Sequence, residues 1–315
     1  MASRHRSMWS AAVPTSRPLR RGLKALLLAT GLGVLFYVTT RDKHPSPPRF
    51  QAKMLDLGDG VRVRALRAGV GDTTLVFLHG YGESLLAWQD VLGHFIDHYR
   101  VLAIDLPGFG LSDPLPDSSG YDAYLGALGR LIEREASGPV VVVGHSMGGQ
   151  LAAGLALAYP RRVVAAILIA PAGAGLSGVF ADSGVVSPWT RWVAEAVPYV
   201  LPIHDTLWLR EPAEPSVPET VRDSILAASA RRVLEQFDFA AVGERFRLLR
   251  QPVLLVWGSQ DPTIPLAVGD RIAALLPCRR FVVVPALHRP HQTIPDTVLT
   301  EMDAFLRHSI PCREG

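Results

Sequence analysis

The sequence predicts an α/β fold in which a mostly parallel sheet is covered by helices on both faces. Strand-like and helix-like segments alternate along the chain, the order that parallel strands with crossover helices require. The central strand candidates are continuously apolar, as in the run Val140–Gly144 (VVVVG), which suits strands buried on both faces. The chain has 315 residues, 48% hydrophobic and 19% charged, enough to bury a full core without disulfide staples.

Taken in order, the strands are expected at Val61–Leu66, Leu75–His79, Val101–Asp105, Val140–Gly144, Ala165–Ala170, Val253–Trp257 and Phe281–Val284. Between them, longer runs predict helices at Leu85–Ile96, Tyr121–Glu135, Met147–Tyr159, Ala267–Leu276 and Asp296–His308. The alternation stops after Pro171 and resumes near Gln251, and an insert of that length is too long for a loop. It is read as a helical cap over residues 171–250, between core segments 54–170 and 251–315. The cap is rich in large apolar groups, among them Val186, Trp189, Trp192, Tyr199 and Trp208. Most suit its own core, and some suit the lining of a lipophilic substrate entrance.

The first fifty residues carry a different message. They hold nine Lys or Arg and one acid, Asp42, leaving 23 basic against 28 acidic residues in the rest of the chain. The folded body is therefore mildly acidic, which excludes the basic face of a nucleic-acid binder. After the basic segment 1–22, residues 25–40 are free of charge, and Pro45, Pro47 and Pro48 follow. The length lies between a signal-peptide core and a full membrane span. No small-residue cleavage site follows Val38, so residues 23–40 are read as an uncleaved signal-anchor helix and 41–53 as a linker. The heavier basic flank precedes the segment, which predicts a cytoplasmic N-terminus and a catalytic body on the extracytoplasmic side.

The chemistry lies in Gly144-His145-Ser146-Met147-Gly148, a G-x-S-x-G pattern set between a strand candidate and a helix candidate. A serine at such a turn sits at a strained backbone angle, and Gly144, Gly148 and Gly149 leave room for it. With this motif the chain resembles the α/β-hydrolase superfamily over about Leu55 to Arg307. That resemblance implies an eight-stranded, mostly parallel sheet with a helical cap. His79-Gly80-Tyr81-Gly82 resembles the family's HGxG loop, which implies that the Tyr81 and Met147 amides form an oxyanion hole. Asp105-Leu-Pro-Gly-Phe-Gly-Leu-Ser112 resembles a further family loop and is read as architectural, because Asp105 precedes the serine.

A serine nucleophile needs a base and an orienting carboxylate, which in this family follow in the order Ser, Asp, His. Asp261, in Trp257-Gly-Ser-Gln-Asp261-Pro, resembles the family's acid. Of the histidines beyond Ser146, His204 falls in the cap and His308 late in the last helix, both read as surface residues. His288 stands where the family places its base, although Leu287 replaces the usual preceding glycine, and His291 is the alternative. Asp182 is a reserve for the acid.

A serine at this turn excludes the relatives that use Asp (haloalkane dehalogenases, epoxide hydrolases) or Cys (dienelactone hydrolases). The expectation is a serine hydrolase, without cofactor or metal, acting on a small lipophilic carboxylic ester. The N-terminal anchor, the HGYG loop and the GHSMGGQ turn look most like membrane-anchored monoacylglycerol-lipase-like members. Carbon–carbon bond hydrolases, thioesterases, amidases, perhydrolases and acyltransferases share the same three residues, and a ligand-binding protein of this fold is the non-enzyme alternative. Cys278 and Cys312, the two cysteines, flank the last strand and helix, and export would favour a disulfide between them.

Overall fold

The strand Val140–His145 is buried along its whole length, and the sheet is built outward from it. The computed structural model describes residues 52–58, 60–116, 119–173, 237 and 243–308, all within the unit Pro48–Gly315. Eight strands are formed: β1 Ala52–Gly58, β2 Val61–Ala68, β3 Thr74–Leu78, β4 Arg100–Ile104, β5 Val140–His145, β6 Val163–Ile169, β7 Val253–Gly258 and β8 Arg279–Val284. Their order across the sheet is β1-β2-β4-β3-β5-β6-β7-β8. Only β2 runs against its neighbours, pairing antiparallel with β1 and β4, while β3 to β8 are parallel.

The helices are α1 Gln89–Phe95, α2 Tyr121–Glu135, α3 Met147–Ala158, α4 Leu266–Leu275, the short α5 Pro290–Thr293 and α6 Pro295–Arg307. Successive side chains of a strand point to opposite faces, and β5 divides its valines accordingly. Val140 and Val142 join one core with Leu128 of α2, Leu151 of α3 and Ile272 of α4. Val141 and Val143 join the other with Phe95 of α1 and Met302 of α6. A strand between two such layers must be apolar throughout, which is why the four-valine run lies at the centre.

The expected helices match α2, α3, α4 and α6 to within a residue at each end. The run expected as one helix at Leu85–Ile96 is instead a 3₁₀ turn, Leu85–Trp88, followed by α1. Two side chains pin that turn: Leu85 N–H donates to Asp105 Oδ1 at 2.8 Å and Leu86 N–H to Ser84 Oγ at 3.3 Å. β1 is an addition that begins at Ala52, inside the segment read as linker. Most of its side chains are exposed or half-buried, as an edge strand allows, so no hydrophobic run marks it.

The chain leaves β6 through Pro171–Gly173 and returns to β7 through a 3₁₀ turn at Arg245–Leu248. Most of the expected cap, with Trp189, Asp182 and His204, lies outside the described residues. Phe237 is described: it is buried and packs edge-on against Tyr121 and Tyr124 of α2, at 5.1 and 5.4 Å between ring centres. The expected anchor 23–40 also lies outside the described residues. Among the described residues no helix is long and apolar enough to cross a membrane. Cys278 is buried and disulfide-bonded, and Cys312 lies outside the described residues.

Candidate active site

Ser146 occupies the sharp turn between β5 and α3 with φ 53° and ψ −117°. A positive φ at a residue with a Cβ is uncommon and costs roughly 1–3 kcal/mol, so the surroundings must impose it. They do so through the backbone: Ser146 N–H donates to Ile169 O at 3.0 Å, and Ser146 O accepts from Ala172 N–H at 2.9 Å. The turn closes because its glycines have no side chain. A Cβ on Gly144 would stand 2.2 Å from Gly148 O, and one on Gly148 would stand 2.2 Å from Leu78 O and 2.4 Å from His79 O. Ser146 itself is half-buried.

The loop after β3 is held by His79, which is fully buried. Its Nε2 accepts from Leu106 N–H at 2.9 Å, so Nδ1 carries the proton and donates to Gly80 O at 2.7 Å. Burial pushes the His79 pKa below the ordinary imidazole value, against the pull of Asp105, which keeps this neutral tautomer in place. Neither the Tyr81 amide nor the Met147 amide has an acceptor among the described residues. Asp105 is architectural, as expected. Its carboxylate pairs with buried Arg64 at 2.6 Å and accepts from Leu85 and Leu111 N–H, tying β2 and the 3₁₀ turn to its own loop.

The structure brings Asp261 and His288 together, with His288 Nδ1 at 2.7 Å from Asp261 Oδ2. The other carboxylate oxygen, Oδ1, accepts from Thr263 N–H and Ile264 N–H at 2.8 and 2.9 Å. One side chain thus caps its own turn and orients the imidazole. Gly258 lets the two loops approach, since a Cβ there would lie 2.1 Å from Leu287 O. Leu287 is tolerated in place of the family's glycine because its φ is not positive and its side chain is 52% exposed. Burial lowers the His288 pKa, as does the neighbouring His145 ring; the Asp261 hydrogen bond and the Asp261 and Glu83 charges raise it, and the net shift is downward.

His291, the alternative base, is not the histidine that meets Asp261. It is fully buried, its ring tilted against Trp88 at 4.5 Å and His145 at 4.6 Å, and neither ring nitrogen has a hydrogen-bond partner among the described residues. His308 is exposed, as expected of a surface residue.

Sequence reasoning missed a charged cluster behind these loops. Glu83 is buried and contacts His145, Arg289 and Gln292, residues separated widely along the chain. Burial alone would push the Glu83 carboxyl up, but His145, Arg289 and His291 beside it hold it well below the usual carboxylate range. Glu83, His145 and His291 also bring three donor atoms within 4.8 Å of one another, close enough to consider a metal ion. The Glu83 oxygens are already engaged, however: Oε2 faces Gly80 N and His145 Nδ1, and Oε1 faces Arg289 Nε and Gln292 Nε2. A carboxylate offers about four lone-pair sites, so this one has none left for a metal.

The chain belongs to the alpha/beta hydrolase family, whose model matches residues 75–301. It is 34% identical over 220 residues to the dihydrolipoyllysine-residue acetyltransferase component of the acetoin cleaving system from Cupriavidus necator, covering 67% of this chain and 58% of that protein. The chain therefore spans less than two thirds of that relative's length. It is 29% identical over 252 residues, 73% of this chain and 85% of the relative, to a 2-hydroxy-6-oxononadienedioate/2-hydroxy-6-oxononatrienedioate hydrolase from Paraburkholderia phymatum. Among solved structures it is similar to a thermophilic esterase from Thermogutta terrifontis, with a TM-score of 0.60 and 25% identity, covering 82% of this chain and 98% of that one.

Proposed function

We propose that this protein is a serine hydrolase that cleaves carboxylic esters through an acyl-enzyme. The observation that carries the reading is Ser146 held at a strained φ directly after His145, whose ring meets the His288 carbonyl at 2.9 Å, while His288 pairs with Asp261 at 2.7 Å. In this reading His288 takes the serine proton through Nε2 as Ser146 Oγ attacks the ester carbonyl. Asp261 holds the proton on Nδ1 and stabilises the imidazolium that forms. The Tyr81 and Met147 amides receive the developing oxyanion, a contribution of roughly 3–4 kcal/mol per donor in comparable sites. His288 then protonates the departing alcohol, and water repeats the sequence to release the acid. The chemistry calls for no cofactor.

The aromatic content of the cap segment supports a lipophilic acyl group, and the esterase among the similar structures supports the bond. The charge-free segment 23–40 supports a membrane-anchored enzyme with its catalytic body on the extracytoplasmic side. A second reading, carbon–carbon bond hydrolysis by the same three residues, is supported by the relative from Paraburkholderia phymatum.

The test is fluorophosphonate labelling of wild type beside Ser146→Ala, with p-nitrophenyl esters of increasing chain length. Labelling and turnover that both vanish in the variant are expected, with a preference for longer acyl chains. Faster turnover of a 2-hydroxy-6-oxodienoate than of any ester would favour the second reading. Absence of labelling in folded wild type would refute both.

A further inference from the structure

We propose that Glu83 is a positioning residue: through a doubly protonated His145 it ties the oxyanion loop to the histidine loop and fixes their separation. The proposal rests on the acyl-enzyme reading, because it concerns the two loops that reading uses.

His145 meets both loops, one through each ring nitrogen. This ring belongs to the residue just before Ser146 and is 2% exposed. Its Nε2 lies 2.9 Å from the carbonyl oxygen of His288, which can only accept, so Nε2 carries a proton. Its Nδ1 lies 3.1 Å from Glu83 Oε2. That oxygen also accepts from Gly80 N–H at 2.8 Å, and Oε1 faces the Arg289 guanidinium at 2.9 Å and the Gln292 amide at 3.4 Å. The Arg289 guanidinium and the Gly80 N–H favour the ionised form of this carboxyl group, and a carboxylate oxygen 3.1 Å from an imidazole nitrogen requires that nitrogen to donate, so Nδ1 carries a proton as well. The ring therefore carries both protons, with Glu83 as its counter-ion.

Three segments of the proposed machinery meet at this one carboxylate. The oxyanion loop is held at Gly80 N–H, the end of the nucleophile strand at His145, and the histidine loop twice, at Arg289 directly and at the His288 carbonyl through the His145 ring. Gly80 is required by the same packing: a Cβ there would stand 2.8 Å from both Glu83 Oε2 and His145 Nδ1. The rings of His145 and His288 are 4.7 Å apart, so a shift of the strap moves the general base against the oxyanion donors. None of these groups is a member of the proposed triad or an oxyanion donor. Besides the opposed charges that His145 and Glu83 place near His288, their effect is geometric, and a displacement of about 1 Å between base and oxyanion donors is enough to lower turnover by roughly a hundredfold.

The test combines kinetics on the full chain with a spectroscopic signature. Glu83→Gln keeps the shape and removes the counter-charge; kcat is expected to fall about 10- to 100-fold with KM changed by less than about threefold, the pattern of a lost transition-state arrangement. His145→Gln is expected to fall similarly, and the double variant to fall little further, because the two act as one strap. Wild-type kcat in Glu83→Gln, or losses that multiply in the double variant, would overturn the proposal. In ¹⁵N-histidine spectra of wild type, the signals assigned to His145 by their loss in His145→Gln should show both ring nitrogens protonated. A neutral His145 would overturn the proposal even if the Glu83 variants fail to fold. One equivalent of zinc bound by wild type and lost in Glu83→Gln would put a metal where we place a proton, and would likewise overturn it. A wild type that neither labels nor turns over would instead defeat the acyl-enzyme reading, and the spectra would still decide the state of the strap.

Discussion

Replacing Asp261 with Asn tests the proposed mechanism at one atom. Thr263 N–H and Ile264 N–H both point at Asp261 Oδ1, at 2.8 and 2.9 Å, and an amide placed there can satisfy them only with its oxygen. The turn therefore dictates the orientation of the new side chain: its NH₂ group must take the place of Oδ2, which stands 2.7 Å from His288 Nδ1. Two donors cannot face each other, so Nδ1 must become the acceptor and the imidazole proton moves to Nε2. In that tautomer Nε2, the nitrogen the proposed mechanism assigns to the serine proton, has no lone pair to take it. Forcing the productive tautomer back forfeits a charge-assisted hydrogen bond, about 1.5–3 kcal/mol, and orphans a buried donor, about 1–3 kcal/mol. The sum is about 2.5–6 kcal/mol, or roughly 10²- to 10⁴-fold in kcat. The assay is kcat on a p-nitrophenyl ester beside a thermal melt, since the two turn hydrogen bonds survive and the melting temperature should shift little. An Asn variant that retains kcat within about tenfold of wild type would refute the tautomer argument.

Other perturbations follow from the same geometry. His288 must be neutral to act as a base, and it is neutral above its pKa. Burial and His145 set that pKa below the ordinary value, so the acid limb of kcat/KM should have its midpoint under pH 6.5, measured by a pH–rate profile with a short ester. Gly148→Ala drives a Cβ to 2.2 Å from Leu78 O and 2.4 Å from His79 O, backbone atoms that cannot give way cheaply. It should lower stability by about 1–3 kcal/mol and displace the oxyanion loop, with a roughly hundredfold loss of kcat. Gly126→Ala on α2, where the nearest heavy atom is Arg130 Nη1 at 3.7 Å, should leave activity intact and raise stability slightly in urea unfolding. Arg64→Met leaves the Asp105 charge buried without its guanidinium at 2.6 Å, and the same unfolding assay should report a loss of about 3–5 kcal/mol.

Most of the layered core was legible because burial on both faces leaves a local trace. β5 and β7 read as apolar runs, and α2 and α6 as helical stretches, since each element meets the same environment along its length. β1 left no such trace: it lies at the sheet edge with most of its side chains outside the core. Ser146 was legible for a related reason. The strained turn excludes a Cβ at Gly144 and Gly148, and both exclusions fall within five residues of sequence. Asp261 and His288 were legible through their position after β7 and β8, and Leu287 obscured the second because its exposure is visible only in three dimensions.

The strap was not legible at all, for a reason that separates the two kinds of information. Glu83, His145 and Arg289 are common residue types, and no spacing links positions 83, 145 and 289 until the parallel sheet brings the ends of β3, β5 and β8 to one edge. Pattern reports where the backbone is constrained, because steric exclusion acts between near neighbours in the chain. Charge compensation acts between loops that meet only after folding. Here it accounts for two features that the motif left unassigned: the histidine inside the serine turn and the glutamate after the oxyanion loop. A buried carboxylate with four nitrogen partners stabilises only one arrangement of the loops that supply them, and a site whose reactive groups come from three separate loops depends on such a constraint.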